Sequence, residues 1–297
     1  MTNKTEVPEN SPVGPLVTLA SASFFAVITP LATLVYAAGG NSITLVLIRL
    51  LAVVILTIIV AIVLRKGPRV DKKNIPQMVA FSLCIFGQGI CYLSSVAYIP
   101  VSFAALLLYT WPLMVAVASP LIGENRPTAF QMLCFLAAFT GLAFTFAPSL
   151  ENLDPRGVIL ALLGACFTVG LILFSRIVLR TTNPLSVSFY GNTMALAFAA
   201  AFVPFTGGFA LPESNNGFIA LGLICLVFSC AIATQLIGLR MTKASLAAII
   251  YNMEPVISIL VAFILLGEIL TPPQYLGGAL VIGSLMLYSN SARKIAI

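Results

Sequence analysis

The run Tyr251-Asn252-Met253-Glu254-Pro255 sets a phenol, a primary amide and a carboxylate within four residues, directly before a proline. Glu254 lies near the middle of an apolar stretch from about Ala244 to Leu266. That stretch is long enough to cross a bilayer, which takes roughly 20 residues for a hydrocarbon core of roughly 30 Å. A carboxylate at that depth costs about 2.5–3.5 kcal/mol on insertion scales, so it comes with a partner or a purpose. Pro255 has no N–H to donate and releases the carbonyl of Tyr251, four residues back. The stretch reads as half of a binding site. Glu254 is placed to exchange a proton or to meet a substrate ammonium; the structural alternative is a bond to freed backbone or a pair with Arg49.

Helical spacing shows which other polar groups can share a face with one another. Gln88, Tyr92 and Ser95 stand at i, i+4 and i+7, and Ser102 and Tyr109 are seven apart, with Pro112 freeing the carbonyl of Leu108. Thr168 and Ser175 are also seven apart, and Thr29, Thr33 and Tyr36 make a line beside Pro30. Tyr251, Glu254 and Ser258 share one stripe. Asn252 sits about 200° from Glu254 on a regular helix, so the two face one cavity only if Pro255 distorts it. Trp111, the one tryptophan of the chain, has an N–H that wants a partner away from lipid. Gln235 is costly in lipid, and Arg49 lies about 10 Å inside its span, where it would snorkel, pair, or attract a carboxylate. The competing role for these polar groups is bonding between helices, and for the aromatic ones, anchoring at the interface. Glu124 and Glu268 close their spans, where capping competes with any site role.

The elements that must position these groups are membrane helices. The 297 residues are 60% hydrophobic and 8% charged, against about 25% charged in a soluble domain. Ten spans follow, at about 14–37, 42–64, 76–98, 102–122, 127–147, 157–180, 184–204, 217–239, 244–266 and 272–290, separated by Gly, Pro, Asn and Asp breakers. The short loops leave no room for a soluble domain. The net charge of +6 sits in those loops and marks topology, so no nucleic-acid partner is expected. With the N-terminus inside, inner loops carry Arg65, Lys66, Arg69, Lys72, Lys73, Arg126, Arg180, Arg240 and Lys243, and outer loops only Arg156 as a base. Both termini are therefore expected in the cytoplasm, on an inner-membrane protein. The first helix lacks a basic leader region and a cleavage site and is expected to be retained. The absence of histidine excludes His-based metal, haem or triad chemistry, and the six cysteines lie in apolar runs without metal spacing. No metal, cofactor or enzymatic centre is expected.

The chain also repeats itself. Ala104-Ala105, Tyr109, Pro112 and Gly123-Glu124 match Ala247-Ala248, Tyr251, Pro255 and Gly267-Glu268 at offsets of 142–144 residues. Ser21-Ala22-Ser23-Phe24 matches Gly164-Ala165-Cys166-Phe167 at a similar offset. Each copy holds five spans, an odd number, so the two must lie in opposite orientations. Inverted repeats with interrupted helices at matching places point to a transport site near the midplane. Residues 1–13 form a cytoplasmic tail, 14–148 the first repeat, 157–290 the second, and 291–297 a second tail.

Five plus five spans, the sequence Glu254-Pro255-Val256 and the exit Leu266-Gly267-Glu268 resemble the drug/metabolite transporter superfamily, in its EamA-type branch. Tyrosine and tryptophan in the third and fourth spans look like the YddG-type exporters of aromatic and other neutral amino acids. The resemblance implies an all-α integral membrane protein, with ten transmembrane helices as two inverted five-helix repeats around a central cavity. It implies export of small metabolites by alternating access, with neutral or aromatic amino acids foremost and nucleosides or cationic drugs as the alternative. The lipid bilayer, a small-molecule substrate and protons are the partners so implied. No nucleotide-binding motif supplies energy, and nothing in the sequence specifies an oligomer.

Overall fold

The computed structural model describes residues 13–147, 153–205, 208–267 and 269–295, and every regular element among them is helical. In chain order they are α1 (Val13–Ala37), α2 (Ser42–Val63), α3 (Ile75–Ser95), α4 (Val101–Leu108), α5 (Trp111–Ala118) and α6 (Ala129–Phe146). The second half gives α7 (Pro155–Leu179), α8 (Pro184–Phe202), α9 (Asn215–Met241), α10 (Ala244–Tyr251), α11 (Met253–Leu266) and α12 (Pro272–Ile295). Nine segments among the described residues are long and apolar enough to cross a membrane. The tenth, α12, has 24 residues and is diluted by its prolines, glycines and Gln274. Large apolar side chains such as Leu16, Ile62, Val63, Leu133 and Ile264 are exposed, as lipid contact requires.

Breakers start the helices by capping them. Asn41, Asp154, Asn183 and Ser214 each accept an amide of the first turn, as in the bond of 2.8 Å from the Ser186 N–H to Asn183. Thr128 and Gln131 form a reciprocal capping box on α6. Pro155 and Pro184 follow their caps directly, where a missing N–H costs nothing.

Spans four and nine are each two helices, not one bent helix. The first breaks at Tyr109 and Thr110 and the second at Asn252. Pro112 and Pro255 therefore fall in the first turn of α5 and α11, which tolerates proline, rather than kinking a continuous helix. The two repeats interlock as an inverted pair: α1 packs on α9 as α3 packs on α7, while α2 meets α8, α5 meets α10 and α6 meets α12.

Small residues set the closest crossings. A Cβ on Gly238 of α9 would stand 2.6 Å from the Thr18 hydroxyl of α1, and one on Gly141 of α6 would stand 2.8 Å from the Gly277 carbonyl of α12. The chain crosses back and forth so that the α2–α3, α5–α6, α7–α8 and α9–α10 joints share one end of the bundle. This end holds the lysine- and arginine-rich loops and is called the basic face below.

Candidate functional site

Helices from both repeats enclose a cavity of about 230 Å³ at mid-bundle. Eight of the twelve candidate residues line it: Arg49, Gln88, Tyr109, Trp111, Thr168, Gln235, Tyr251 and Glu254. The breaks in spans four and nine carry four of these, Tyr109 and Trp111 on one side and Tyr251 and Glu254 on the other.

Tyr92, Ser95, Ser102 and Asn252 are not among the lining residues. Ser95 lies about 10 Å along α3 from Gln88, where its hydroxyl donates to the Tyr92 carbonyl at 2.7 Å. Tyr92 packs instead against the cluster of Ile99, Ala104 and Ala161. Ser102 sits in the first turn of α4, seven residues from the cavity-facing Tyr109. Asn252 is 2% exposed, in the turn between α10 and α11. The line of Thr29, Thr33 and Tyr36 also misses the cavity; the Thr33 hydroxyl turns back to the Pro30 carbonyl at 2.7 Å.

The wall has an aromatic part. Phe25 meets Phe228 edge-on at 6.0 Å and Tyr251 at 6.3 Å, and Trp111 meets Tyr251 at 5.9 Å between ring centroids. The Tyr251 hydroxyl is tied in a relay across the bundle. It donates to the Ser21 hydroxyl at 3.0 Å, and Ser21 donates to the Ala231 carbonyl at 2.9 Å. Gln235 lines the cavity with the same phenol.

Two charges occupy the wall without pairing. The Arg49 guanidinium lies 4.6 Å from the centroid of the Phe228 ring, and its buried Nε has no hydrogen-bond partner. Glu254 and the Tyr109 phenol line the same wall and interact electrostatically. The ion pairs among the described residues involve neither charge, so the pairing of Glu254 with Arg49 that the sequence leaves open is not made. A cavity with an unpaired cation, a carboxylate on the same wall as a phenol, and aromatic walls between them suits a small molecule bearing both charges.

One polar lining residue escaped the sequence reading. Asn192 of α8 is 1% exposed; its amide donates to the Ser188 carbonyl at 2.8 Å, while its Oδ1 is buried without a partner. The signal was available, since an amide at mid-span is as costly in lipid as that of Gln235.

Toward the basic face the ends of α5, α7, α9 and α10 are tied together. Glu124, just past the α5 end, accepts the Ala244 amide at 2.6 Å and the Ser245 amide at 3.4 Å, capping α10 across the repeat boundary. Arg176 of α7 pairs with Glu124 at 3.1 Å and donates to the Leu239 carbonyl in the last turn of α9 at 2.6 Å. Glu124 thus takes the capping role that its place at a span end allows. Its counterpart Glu268 lies outside the described residues. Toward the opposite face, the cavity wall runs on to Ile43 at the start of α2 and Ala199 near the end of α8.

Interlocked inverted repeats, paired helix breaks and a polar cavity between them define a membrane transporter of the drug/metabolite type. The EamA-like transporter family matches the chain twice, over residues 12–147 and 155–290, and the chain belongs to that family. It is similar to an uncharacterised transporter of Archaeoglobus fulgidus, 26% identical over 196 residues, covering 66% of this chain and 70% of the relative. It is likewise 26% identical over 231 residues to the threonine/homoserine exporter RhtA of Escherichia coli K12, covering 76% of this chain and 75% of that one. A solved crystal structure superposes with a TM-score of 0.82 at 18% identity, covering 94% of this chain and 98% of its own. The protein is a multi-pass membrane transporter and not an enzyme.

Proposed function

We propose that this transporter exports small zwitterionic metabolites, with neutral and aromatic amino acids foremost, across the inner membrane by alternating access. The observation that carries the reading is the cavity with its two unpaired opposite charges. Arg49 would take a substrate carboxylate, and Glu254 with Tyr109 an ammonium, while Phe25, Trp111, Phe228 and Tyr251 cover the apolar part. The volume of about 230 Å³ falls below the roughly 300–1,000 Å³ typical of sites for drug-sized ligands. That weighs against the larger cationic drugs. Similarity to a threonine/homoserine exporter supports the same substrate class. The basic loops support cytoplasmic termini by the positive-inside rule.

The test is uptake of radiolabelled amino acids into proteoliposomes, with unlabelled competitors. Saturable uptake competed by neutral or aromatic amino acids, and weakened by Trp111→Ala, is the expected result. No uptake across a broad amino-acid panel by demonstrably folded protein would overturn the substrate class and move it to nucleosides or cationic drugs. With no nucleotide-binding motif, uphill work must draw on a proton gradient or on downhill flow of substrate. Glu254 is the group placed to carry the proton. Glu254→Gln is accordingly expected to abolish uptake driven by a pH gradient and to leave counterflow measurable, weakened by the lost contact to the substrate ammonium. Equal pH-driven uptake by the variant would remove Glu254 from coupling.

A further inference from the structure

The clamp beneath the cavity has the build of a latch. Glu124 and Arg176 are each 5% exposed and lie 3.1 Å apart. Each also meets a helix end of opposite partial charge: Arg176 the α9 carbonyl end, at Leu239, and Glu124 the α10 amide end, at Ala244 and Ser245. Each side chain therefore meets the helix end that its charge favours. Arg180 adds a hydrogen bond to the Ile122 carbonyl, so two arginines of the second repeat hold the exit of α5 in the first.

What the clamp holds is a lever. Helix α10 has eight residues, and its far end is Tyr251, in the cavity wall, next to the break at Asn252. Seven residues, about 10 Å, separate the clamped amide from that wall. The break at Asn252 frees α10 to swing without bending α11. A buried ion pair regains hydration as it loses attraction on opening, so it can specify one arrangement without being a deep trap.

We propose that Glu124 and Arg176 are the positioning residues of the gate on the basic face, holding α10 closed under the cavity and releasing it during the transport cycle. The inference rests on the transporter class and not on the identity of the cargo, and its test needs no substrate. A single cysteine, Thr168→Cys in the cavity wall, is introduced into a full-length chain whose six native cysteines are replaced by alanine. Its reaction with a membrane-impermeant thiosulfonate is followed from each face, in cells and in inside-out vesicles. A parallel Arg126→Cys chain marks the basic face.

With the clamp intact, reaction from the basic face should be at least ten-fold slower than from the opposite face. Glu124→Gln and Arg176→Gln should each raise the basic-face rate at least ten-fold, and Arg176→Lys should keep it low. Ala244→Pro keeps both charges and removes the amide that Glu124 accepts at 2.6 Å. It sits at the first helical position after Lys243, whose φ of −59° and ψ of 145° already suit a following proline. This variant should open the same face, and it carries the test if a charge variant does not fold. Unchanged two-sided rates in variants that keep a cooperative thermal transition would overturn the latch. So would opening in Arg176→Lys equal to that in Arg176→Gln.

Discussion

Arg49→Gln is expected to lower saturable amino-acid transport about 10- to 100-fold while leaving the protein folded. A hydrogen bond to a charged group is worth roughly 1.5–3 kcal/mol, and each 1.4 kcal/mol is about ten-fold in affinity. The stability side has the opposite sign. Among the described residues Arg49 has no ion-pair partner and its buried Nε no acceptor, so glutamine removes a desolvation cost along with the stacking on Phe228. Transport falls and thermal stability holds or rises. Arg49→Lys should recover only part of the transport, because an ammonium does not present the planar fork that a carboxylate matches. Counterflow in proteoliposomes and thermal unfolding in detergent read the two sides. A variant that loses transport and stability together would make Arg49 a structural residue.

Gly277→Leu is expected to abolish most of the folded yield. A Cβ at Gly277 runs into the Gly141 carbonyl and, at 2.7 Å, into the Thr145 amide nitrogen of α6. These are backbone atoms in a continuous helix, so relief requires α6 and α12 to part. Overpacking costs about 1–3 kcal/mol even where side chains can adjust, and here the helix contact itself opens. Gly222→Ala is the matched control: nothing lies within 4 Å of its added methyl, and it should express and unfold like the parent. Size-exclusion profiles and melting curves check both. A monodisperse Gly277→Leu protein with unchanged melting would contradict the interlocked packing of the two repeats.

The ten spans and the inverted repeat are legible in the sequence because lipid demands long apolar runs and the Gly-Glu and Ala-Ala landmarks recur at one offset. Pro112 and Pro255 mark the right region but the wrong device. Proline signals a lost N–H, and whether the helix bends or restarts is settled by what packs on it. Face periodicity misplaces Ser95 and Ser102 for a related reason. It gives the direction of a side chain and not its depth, and seven residues move a group about 10 Å along the axis. Whether Arg49 and Glu254 pair depends on distances across the repeat boundary, as does the docking of Glu124 on α10. Neither is written in local spacing. Asn192 is legible by the rule that applies to Gln235, and it stands four residues from Ser188 on one face of α8.

The most direct test of a cavity built for a zwitterion is competition of counterflow by one transported amino acid and its two singly charged derivatives. The decarboxylated amine leaves Arg49 without its ligand, and the N-acetylated acid leaves Glu254 and Tyr109 without theirs. Both should compete at least ten-fold more weakly than the parent, and Arg49→Gln should erase the difference between the parent and the amine. Equal competition by all three compounds would contradict the account, because the two unpaired charges would then play no part in recognition.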